Sequence, residues 1–173
     1  TPVLVHEDPR ALVGPLSQEV YHHPAEHLTA TAVTGTNGKT TTTSLIHHIM
    51  QKAGLDAALA GNIGASFARQ VAQGEHAYYV PEISSFQLDD MYDFKADVAV
   101  LLNITPDHLD RYEQQMANYV RAKFRIAQNM TSADSLVYCA DDAETMNYLK
   151  EHSLGARLLS VSQQVANGQA AYL

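Results

Sequence analysis

A glycine-rich segment with one lysine and three threonines is the clearest candidate for chemistry in this chain. It reads Gly35-Thr36-Asn37-Gly38-Lys39-Thr40-Thr41 and lies between a predicted strand and a predicted helix. Glycines leave backbone N–H groups open to an anion, a helix N-terminus favours negative charge, and a Lys-Thr pair can serve phosphate oxygens and Mg²⁺. The full phosphate-loop pattern would begin with a glycine at Val33, so only its shorter second half is present. The alternative is an ordinary strand-to-helix turn that contains a lysine.

Acidic and polar side chains follow two other predicted strands. Glu82 ends one of them, and the segment 103–112, which contains His108, follows another. Because ligands of a parallel α/β sheet bind beside the carboxyl ends of its strands, Glu82 is a candidate Mg²⁺ ligand or water-positioning group. A helix-capping role for Glu82 and a surface-loop role for His108 are the alternatives. Pro81 cannot donate to a sheet ladder, which predicts a bulge or local unpairing before Glu82.

A lysine interrupts the apolar face of a predicted helix. Four residues with apolar character recur there at helical spacing: Met116, Tyr119, Val120 and Ala127. Lys123 lies on the same stripe, although lysine is rarely buried without a partner. Two explanations stay open from spacing alone. The Lys123 side chain extends to solvent, or it points into a polar site formed by His108 and Glu82.

The elements that must position these groups alternate along the chain. Predicted strands cover residues 29–33, 57–60, 77–83, 96–102, 135–138 and 156–161. Predicted helices cover residues 40–53, 65–73, 115–128 and 141–152. Connections of these lengths suit crossovers between parallel strands, which predicts an α/β fold: a mostly parallel sheet with helices on both faces. The nearly all-apolar strand 96–102 is expected to be buried on both faces. Residues 1–28 hold four of the six prolines and form a lead-in with one short predicted helix over residues 9–21.

The composition excludes several classes of protein. Of 173 residues, 46% are hydrophobic and 17% charged, which is enough to bury a core and does not fit global disorder. A net charge of -8 does not fit a general binder of nucleic acid or of an anionic membrane. The single cysteine, Cys139, excludes an internal disulfide. No apolar run approaches the roughly 18–20 residues of a membrane span, and the first residues are acidic where a signal peptide is basic, so we expect a cytoplasmic protein.

Taken together and in this order, the motifs resemble the Mur ligases, the ATP-dependent amide-forming enzymes of cell-wall synthesis. The resemblance runs from about Thr31 to Asp142 and rests on five segments: 34–41, 61–64, 82–88, 103–112 and 119–126. The segment Glu82-Ile83-Ser84-Ser85-Phe86-Gln87-Leu88 is most similar to the D-glutamate-adding members, and it argues against a relative of the folylpolyglutamate synthetases. The resemblance implies a P-loop NTPase-like fold, with residues 29–173 as the central ATP-binding domain, whole or truncated.

The resemblance also implies a role for each candidate residue. ATP would be held by Gly35, Thr36, Asn37, Gly38, Lys39, Thr40 and Thr41. Two Mg²⁺ ions would be held by Thr40, Glu82, His108 and Lys123, with Lys123 carbamylated, which would account for a lysine on an apolar stripe. The catalytic groups would be Lys39, Glu82, His108 and Lys123. A UDP-linked substrate would contact Asn62, Ser84 and Gln87. The implied reaction adds D-glutamate to UDP-N-acetylmuramoyl-L-alanine through an acyl phosphate.

The lead-in resembles a different branch of the family, the diaminopimelate- or lysine-adding members. This mixture leaves open a recombined or designed sequence. The segments that family members use for the UDP group and the incoming amino acid are not recognised in the chain. Two hypotheses follow: an ATP- and Mg-binding central domain of a peptidoglycan-precursor ligase, or a nucleotide-binding fragment or engineered domain without ligase activity. The oligomeric state does not follow from the sequence.

Overall fold

Seven parallel strands form one sheet in the computed structural model, which describes residues 28–74, 76–164 and 171–172. The strands are β1 (Thr29–Thr34), β2 (Ala57–Gly61), β3 (Tyr78–Glu82), β4 (Val98–Leu101), β5 (Ser135–Cys139), β6 (Arg157–Ser162) and β7 (Ala171–Tyr172). Their order in the sheet is β2-β3-β1-β4-β5-β6-β7, and each of these pairings is parallel. The helices are α1 (Lys39–Lys52), α2 (Phe67–Gln73), α3 (Ser85–Asp89), α4 (Met116–Phe124) and α5 (Ala143–Glu151). The predicted α/β fold is confirmed.

The direction of the crossovers places helices on both faces of the sheet. The chain runs from β1 past β3 to β2, and α1 packs on these three strands. From β3 onward it runs the other way across the sheet, through β4, β5 and β6. Because crossovers between parallel strands are right-handed, this reversal puts α4 and α5 on the face opposite α1.

The main core lies between the sheet and the face that carries α3 and α4. Small and branched residues of the strands meet large residues of the helices there, and each is almost wholly buried: Ala32, Ala99, Leu101, Leu88, Tyr119 and Phe124. Burying one such large apolar side chain contributes about 1.5–3 kcal/mol. This core fixes α4, and therefore Lys123, against the centre of the sheet.

The reversal of direction also brings three strand ends to one place. Val33 of β1 pairs with Glu82 of β3, and Thr34 of β1 pairs with Leu101 of β4. The segments that follow β1, β3 and β4 therefore leave the sheet side by side. A crevice outside strand ends at such a reversal is where open α/β sheets bind ligands.

One sequence expectation about burial is wrong. The predicted strand 96–102 is shorter, and Val98 and Val100 are only half-buried, so β4 is fully covered on one face alone. In α1 the apolar residues Leu45 and Ile49 lie at helical spacing, yet Leu45 is 55% exposed and Ile49 is 57% exposed. In α1 it is Thr43 that is fully buried. Helix α1 therefore leaves the apolar side chains of Leu45 and Ile49 exposed.

Pro81 interrupts pairing without shifting the register. The β1–β3 ladder pairs Ala30 with Tyr79 and resumes at Val33 with Glu82, which is the same offset, so there is no bulge. On its other side Pro81 pairs with Ala60 of β2. The predicted disturbance is therefore a local unpairing on one side of β3, because proline lacks the N–H that a continuous ladder would need.

Three short elements were not predicted from the sequence. They are α3, the 3₁₀ turn Leu109–Tyr112 and strand β7. The predicted helix 115–128 ends earlier as α4 and continues as a 3₁₀ turn over Arg125–Ala127. The predicted lead-in helix over residues 9–21 lies outside the described residues. Across the described ranges, no helix combines the length and apolar character needed to cross a membrane.

Candidate functional site

The glycine-rich segment forms a tight loop between β1 and α1. Gly38 has a φ of 81° and ends the loop, and α1 begins at Lys39. That left-handed conformation suits glycine because it has no Cβ. Gly35 passes so close to the chain just after β4 that an added Cβ would lie 3.0 Å from the Leu102 Cβ. Both glycines are therefore required by the path of the backbone, and the loop presents the N-terminus of α1 to the sheet edge.

Lys39 folds back over this loop. Its Nζ donates to the carbonyl oxygens of Gly35 at 3.0 Å and Thr36 at 2.8 Å. The ammonium therefore lies at the mouth of the loop rather than extending into solvent. A lysine in this position can exchange carbonyl partners for phosphate oxygens, which are stronger acceptors because they are charged.

A buried carboxylate lies beside the start of α1. Glu82 is 1% exposed, and it accepts hydrogen bonds from Thr40 Oγ1 at 2.8 Å and from Asn62 Nδ2 at 3.0 Å. Asn62 reaches Glu82 because Gly61, with a φ of 95°, turns the chain across the end of β3. A Cβ on Gly61 would collide with the Glu82 carbonyl oxygen. We call Thr40, Asn62 and Glu82 the carboxylate corner.

Lys123 points into the site from the opposite side. It is 1% exposed, its Nζ donates to the Gly35 carbonyl oxygen at 2.8 Å, and it lies 4.6 Å from the centre of the Tyr119 ring. The Lys123 side chain therefore does not extend to solvent, which was one of the two explanations open from the sequence. Lys123 and Lys39 share the Gly35 carbonyl. We call Gly35, Lys39 and Lys123 the lysine corner.

The lysine corner holds more positive charge than it can neutralise. Burial, and next the positive charge of Lys39, lower the pKa of Lys123 from 10.5 to about 7. Within the described ranges neither ammonium forms an ion pair with a carboxylate. An uncharged amine is the nucleophilic form of lysine, and a site with two lysines and carbonyl acceptors favours an added anion. Lys123 thus faces a polar site, but its neighbours there are the loop carbonyl and Lys39.

The segment after β4 braces the glycine-rich loop. The carbonyl oxygen of Asn103 accepts from Thr36 N at 2.9 Å, and its side chain accepts from Asn37 N at 2.9 Å and donates to Asn37 O at 3.1 Å. Thr105 exchanges two further hydrogen bonds with the Thr36 hydroxyl. These contacts join loop 35–38 to the 103–112 segment.

His108 lies outside both corners. Its side chain is 56% exposed, its backbone has a φ of 50°, and Nε2 is 3.6 Å from Asp107 Oδ2. The predicted ligand set of Glu82, His108 and Lys123 is thus not in mutual contact. In the described part of the chain, no three His, Cys, Asp or Glu residues are grouped so that they could hold a metal. Thr40 and Glu82 alone of the predicted metal ligands are directly paired.

The predicted substrate-contacting residues have local partners. Gln87 Oε1 accepts from the Ser84 amide at 2.9 Å and from the Ser84 hydroxyl at 2.7 Å. This pair lies at the N-terminus of α3, directly after β3. Asn62 belongs to the carboxylate corner. All three flank the end of β3, although each already has a hydrogen-bond partner.

Sequence reasoning missed the residues that brace the loop. Tyr119 entered it only as part of an apolar stripe, and Asn103 and Thr105 only as part of a polar segment. One available indication was that Tyr119 precedes Lys123 by four residues, which puts both on the same helix face. Another was that Asn103 directly follows a predicted strand, at the end where a parallel α/β sheet binds its ligands.

Comparison with known proteins decides the family. A family model of the Mur ligase middle domain matches residues 33–172. The chain is 57% identical over 141 residues to the UDP-N-acetylmuramoylalanine--D-glutamate ligase of Bacteroides fragilis. It is 55% identical over 141 residues to the ligase of the same name from Cytophaga hutchinsonii. The chain belongs to the Mur ligase family.

The match to these Mur ligases is regional. It covers 82% of this chain in both cases, but 32% of the Bacteroides fragilis protein and 31% of the Cytophaga hutchinsonii protein. The chain therefore spans about a third of the length of these relatives. The family resemblance expected from the five segments is confirmed, including the similarity to D-glutamate-adding members.

Solved Mur ligases share the fold. MurF from Acinetobacter baumannii matches with a TM-score of 0.68 and 21% identity, over 93% of this chain and 38% of that one. The MurF ligase of Thermotoga maritima in complex with ADP matches with a TM-score of 0.67 and 18% identity, over 94% of this chain and 38% of that one. At these identities the likeness establishes the fold alone, which is the α/β arrangement of a parallel sheet with helices.

Proposed function

We propose that this chain is the ATP-binding part of a D-glutamate-adding Mur ligase, a peptidoglycan-precursor enzyme. The observation that carries the proposal is the lysine corner, where Lys39 and Lys123 meet at the mouth of a glycine-rich loop. The Lys39 ammonium, beside a helix N-terminus and the open backbone of the loop, forms a site for a polyanion. The names of the relatives supply the reaction, and the ADP complex of a structural neighbour supports an adenine nucleotide.

The carboxylate corner fits a magnesium ion. Mg²⁺ prefers hard oxygen ligands, and it commonly takes one or two protein carboxylates together with substrate phosphates. Glu82 supplies a buried carboxylate, and Thr40 supplies a hydroxyl at the first turn of α1, where the loop would hold phosphates. When bound, the metal would supply charge neutralisation between phosphate groups. The Asn62 side-chain amide donates to the second carboxylate oxygen of Glu82 and so orients that carboxylate.

Lys123 is proposed to be carbamylated, as the family resemblance implies. The uncharged amine adds to CO₂ and loses a proton, which gives a carbamate with one negative charge. A pKa of about 7 leaves much of the amine uncharged at neutral pH. The carbamate would lie beside the Lys39 ammonium and relieve the excess positive charge. Its oxygens would suit the second Mg²⁺ expected with His108, whose exposed turn must then move toward Lys123.

The chemical step would use these groups for position and charge. A carboxylate of UDP-N-acetylmuramoyl-L-alanine attacks the γ-phosphorus, ADP leaves, and an acyl phosphate forms. The amine of D-glutamate then displaces phosphate, and the amide bond forms. Lys39 would hold the phosphate oxygens, while Asn62, Ser84 and Gln87 would face the UDP-linked substrate. Positioning and charge stabilisation of this kind supply most of the rate enhancement in enzymatic phosphoryl transfer.

Calorimetric titration of the chain with Mg·ATP, with and without EDTA, tests the nucleotide site. We expect saturable binding that requires Mg²⁺. Phosphate release is then measured with UDP-N-acetylmuramoyl-L-alanine alone and with D-glutamate added. Release that depends on both substrates would support ligase activity in this chain. Nucleotide binding without such release would favour the alternative, a nucleotide-binding fragment, and absence of binding would contradict the nucleotide site itself.

A separate measurement tests the carbamate. The protein is equilibrated with ¹³C-bicarbonate, and the carbonyl region of its ¹³C spectrum is compared with that of Lys123→Ala. A carbamate resonance that disappears in the variant would support the assignment. If phosphate release is measurable, a short carboxylate should restore activity to Lys123→Ala. Full activity of the unaided variant would contradict the role of the carbamate.

A further inference from the structure

The hydroxyl of Thr36 is the centre of a hydrogen-bond network with other residues of the protein, and this network is separate from the proposed phosphate contacts. It donates to the Thr105 carbonyl at 3.1 Å, accepts from the Thr105 amide at 3.0 Å and lies 3.2 Å from the Tyr119 hydroxyl. Thr36 belongs to the glycine-rich loop, Thr105 to the segment that leads to His108, and Tyr119 to helix α4. One side-chain oxygen therefore joins three separate parts of the site.

The number of hydrogens and lone pairs on the Thr36 hydroxyl indicates which group donates in its hydrogen bond with the Tyr119 hydroxyl. A threonine hydroxyl has one hydrogen and two acceptor lone pairs. The hydrogen of Thr36 is directed to the Thr105 carbonyl, and one lone pair receives the Thr105 amide. The remaining lone pair faces the Tyr119 hydroxyl, so Tyr119 donates and Thr36 accepts. With Tyr119 in place, the Thr36 oxygen makes every hydrogen bond available to it.

The surroundings hold Tyr119 in this role. Its side chain is 1% exposed, and its ring lies 4.6 Å from Lys123 Nζ and packs against Tyr112 with centroids 5.3 Å apart. Burial raises the pKa of Tyr119 above its usual value of 10.0, so the hydroxyl keeps its proton at neutral pH. A buried hydroxyl with one well-placed acceptor is an expensive group to leave unpaired.

We propose that Tyr119 is a positioning residue for the glycine-rich loop. Through the Thr36 hydroxyl it fixes the loop relative to α4, and therefore fixes the Gly35 carbonyl relative to Lys123. Tyr119 touches neither nucleotide nor metal in this role. The inference rests on the proposed nucleotide site, because its functional consequence is a loop that is already in place when the polyanion arrives.

Two tyrosine-to-phenylalanine variants separate positioning from simple stability. Tyr119→Phe removes the hydroxyl bonded to Thr36. Tyr112→Phe is the matched control, because Tyr112 is also a buried tyrosine but its hydroxyl bonds Asp89 Oδ2 at 3.0 Å, away from the loop. Loss of one hydrogen bond changes an equilibrium by about twofold to tenfold, so Tyr119→Phe should weaken Mg·ADP binding by that factor in calorimetry. Tyr112→Phe should bind Mg·ADP as the parent does.

A double-mutant cycle tests whether the effect passes through Thr36. In a Thr36→Val background the acceptor is already missing, so adding Tyr119→Phe should weaken binding no further. An equal loss in both backgrounds would overturn the proposal. Equal changes of Mg·ADP affinity in Tyr119→Phe and Tyr112→Phe would overturn it as well.

Amide hydrogen exchange supplies a measurement that does not need nucleotide. The Thr36 and Asn37 amides are both bonded to Asn103, and the Leu102 amide is bonded to the Thr34 carbonyl at the sheet edge. Tyr119→Phe should speed exchange at Thr36 and Asn37 by about twofold to tenfold and leave Leu102 unchanged. Unchanged exchange at all three would overturn the positioning role. Faster loop exchange in Tyr119→Phe, together with a parent chain that fails to bind Mg·ADP, would support the positioning role and contradict the proposed function alone.

Discussion

The two corners of the site use ionisable groups in opposite ways. Glu82 in the carboxylate corner is buried but has two donors, one on each carboxylate oxygen. Lys39 and Lys123 in the lysine corner are drawn to one backbone carbonyl and have no ion-pair partner among the described residues. The first corner is locally complete, whereas the second has an excess of positive charge. The difference indicates that the lysine corner is where a negatively charged ligand contributes most.

Removing Lys39 is the most direct test of the lysine corner as the site that binds a negatively charged ligand. We expect Lys39→Ala to weaken Mg·ATP binding by at least about a hundredfold, since a charge-assisted hydrogen bond contributes about 1.5–3 kcal/mol and a second charge interaction is lost with it. The measurement is calorimetric titration at fixed ionic strength. Lys52→Ala is the matched control, because Lys52 is exposed at the other end of the same helix. Equal affinities of parent and Lys39→Ala would contradict the phosphate-loop assignment.

The pH dependence of stability tests the excess charge at Lys123. Its pKa is about 7 in the folded chain, whereas the usual pKa of a lysine is 10.5. Between these values the unfolded chain binds more protons, so the free energy of unfolding rises with pH by up to about 1.4 kcal/mol per unit. Urea unfolding of the parent in CO₂-depleted buffer from pH 6 to pH 9 should show this rise.

The control for that series is Lys123→Met, which fills similar space without a titrating group. Its free energy of unfolding should lack this contribution, so the difference between parent and variant grows in favour of the parent above pH 7. Lys150→Met, at an exposed position of α5, should keep the parent's slope. If the free energies of unfolding of the parent and of Lys123→Met changed with pH in parallel, the Lys123 charge would not destabilise the folded state.

The carboxylate corner should give the smallest of these effects on nucleotide affinity. Glu82→Gln keeps the shape of the side chain and removes its charge, so we expect the concentration of Mg²⁺ needed for half-maximal nucleotide binding to rise by about tenfold. Glu151→Gln, on the exposed end of α5, is the control and should need the same Mg²⁺ as the parent. A Glu82→Gln variant with an unchanged Mg²⁺ requirement would remove Glu82 from the metal site.

The positions of the main elements could be predicted because each has a strong local pattern. The α1 and β1 boundaries agree with the structure within one residue, since Gly35 and Gly38 mark the turn between them. The short helix α3 could not be predicted in this way. It has five residues and depends on the Ser84–Gln87 pair and on packing of Leu88 in the core. The two-residue strand β7 exists through its pairing with β6.

Burial could be predicted less well than element type. Leu45 and Ile49 follow a helical stripe, yet they are exposed, because burial depends on what the remaining surface of α1 meets. For Lys123 the sequence left two orientations open. Packing of α4 on β1 and β4 removed the solvent-facing one.

The sequence by itself determined the kind of chemistry: a glycine-rich loop with Lys39 and Thr40, a strand-end Glu82 and a lysine on an apolar stripe. These follow from residue type and spacing along one element. Only the tertiary structure decided that Lys123 shares the Gly35 carbonyl with Lys39, that Asn62 supports Glu82, and that Tyr119 bonds Thr36. The contacts made by Lys123, Asn62 and Tyr119 join residues 20 to 88 positions apart, and they depend on how crossovers bring strand ends together. No local sequence pattern encodes contacts between residues so far apart along the chain.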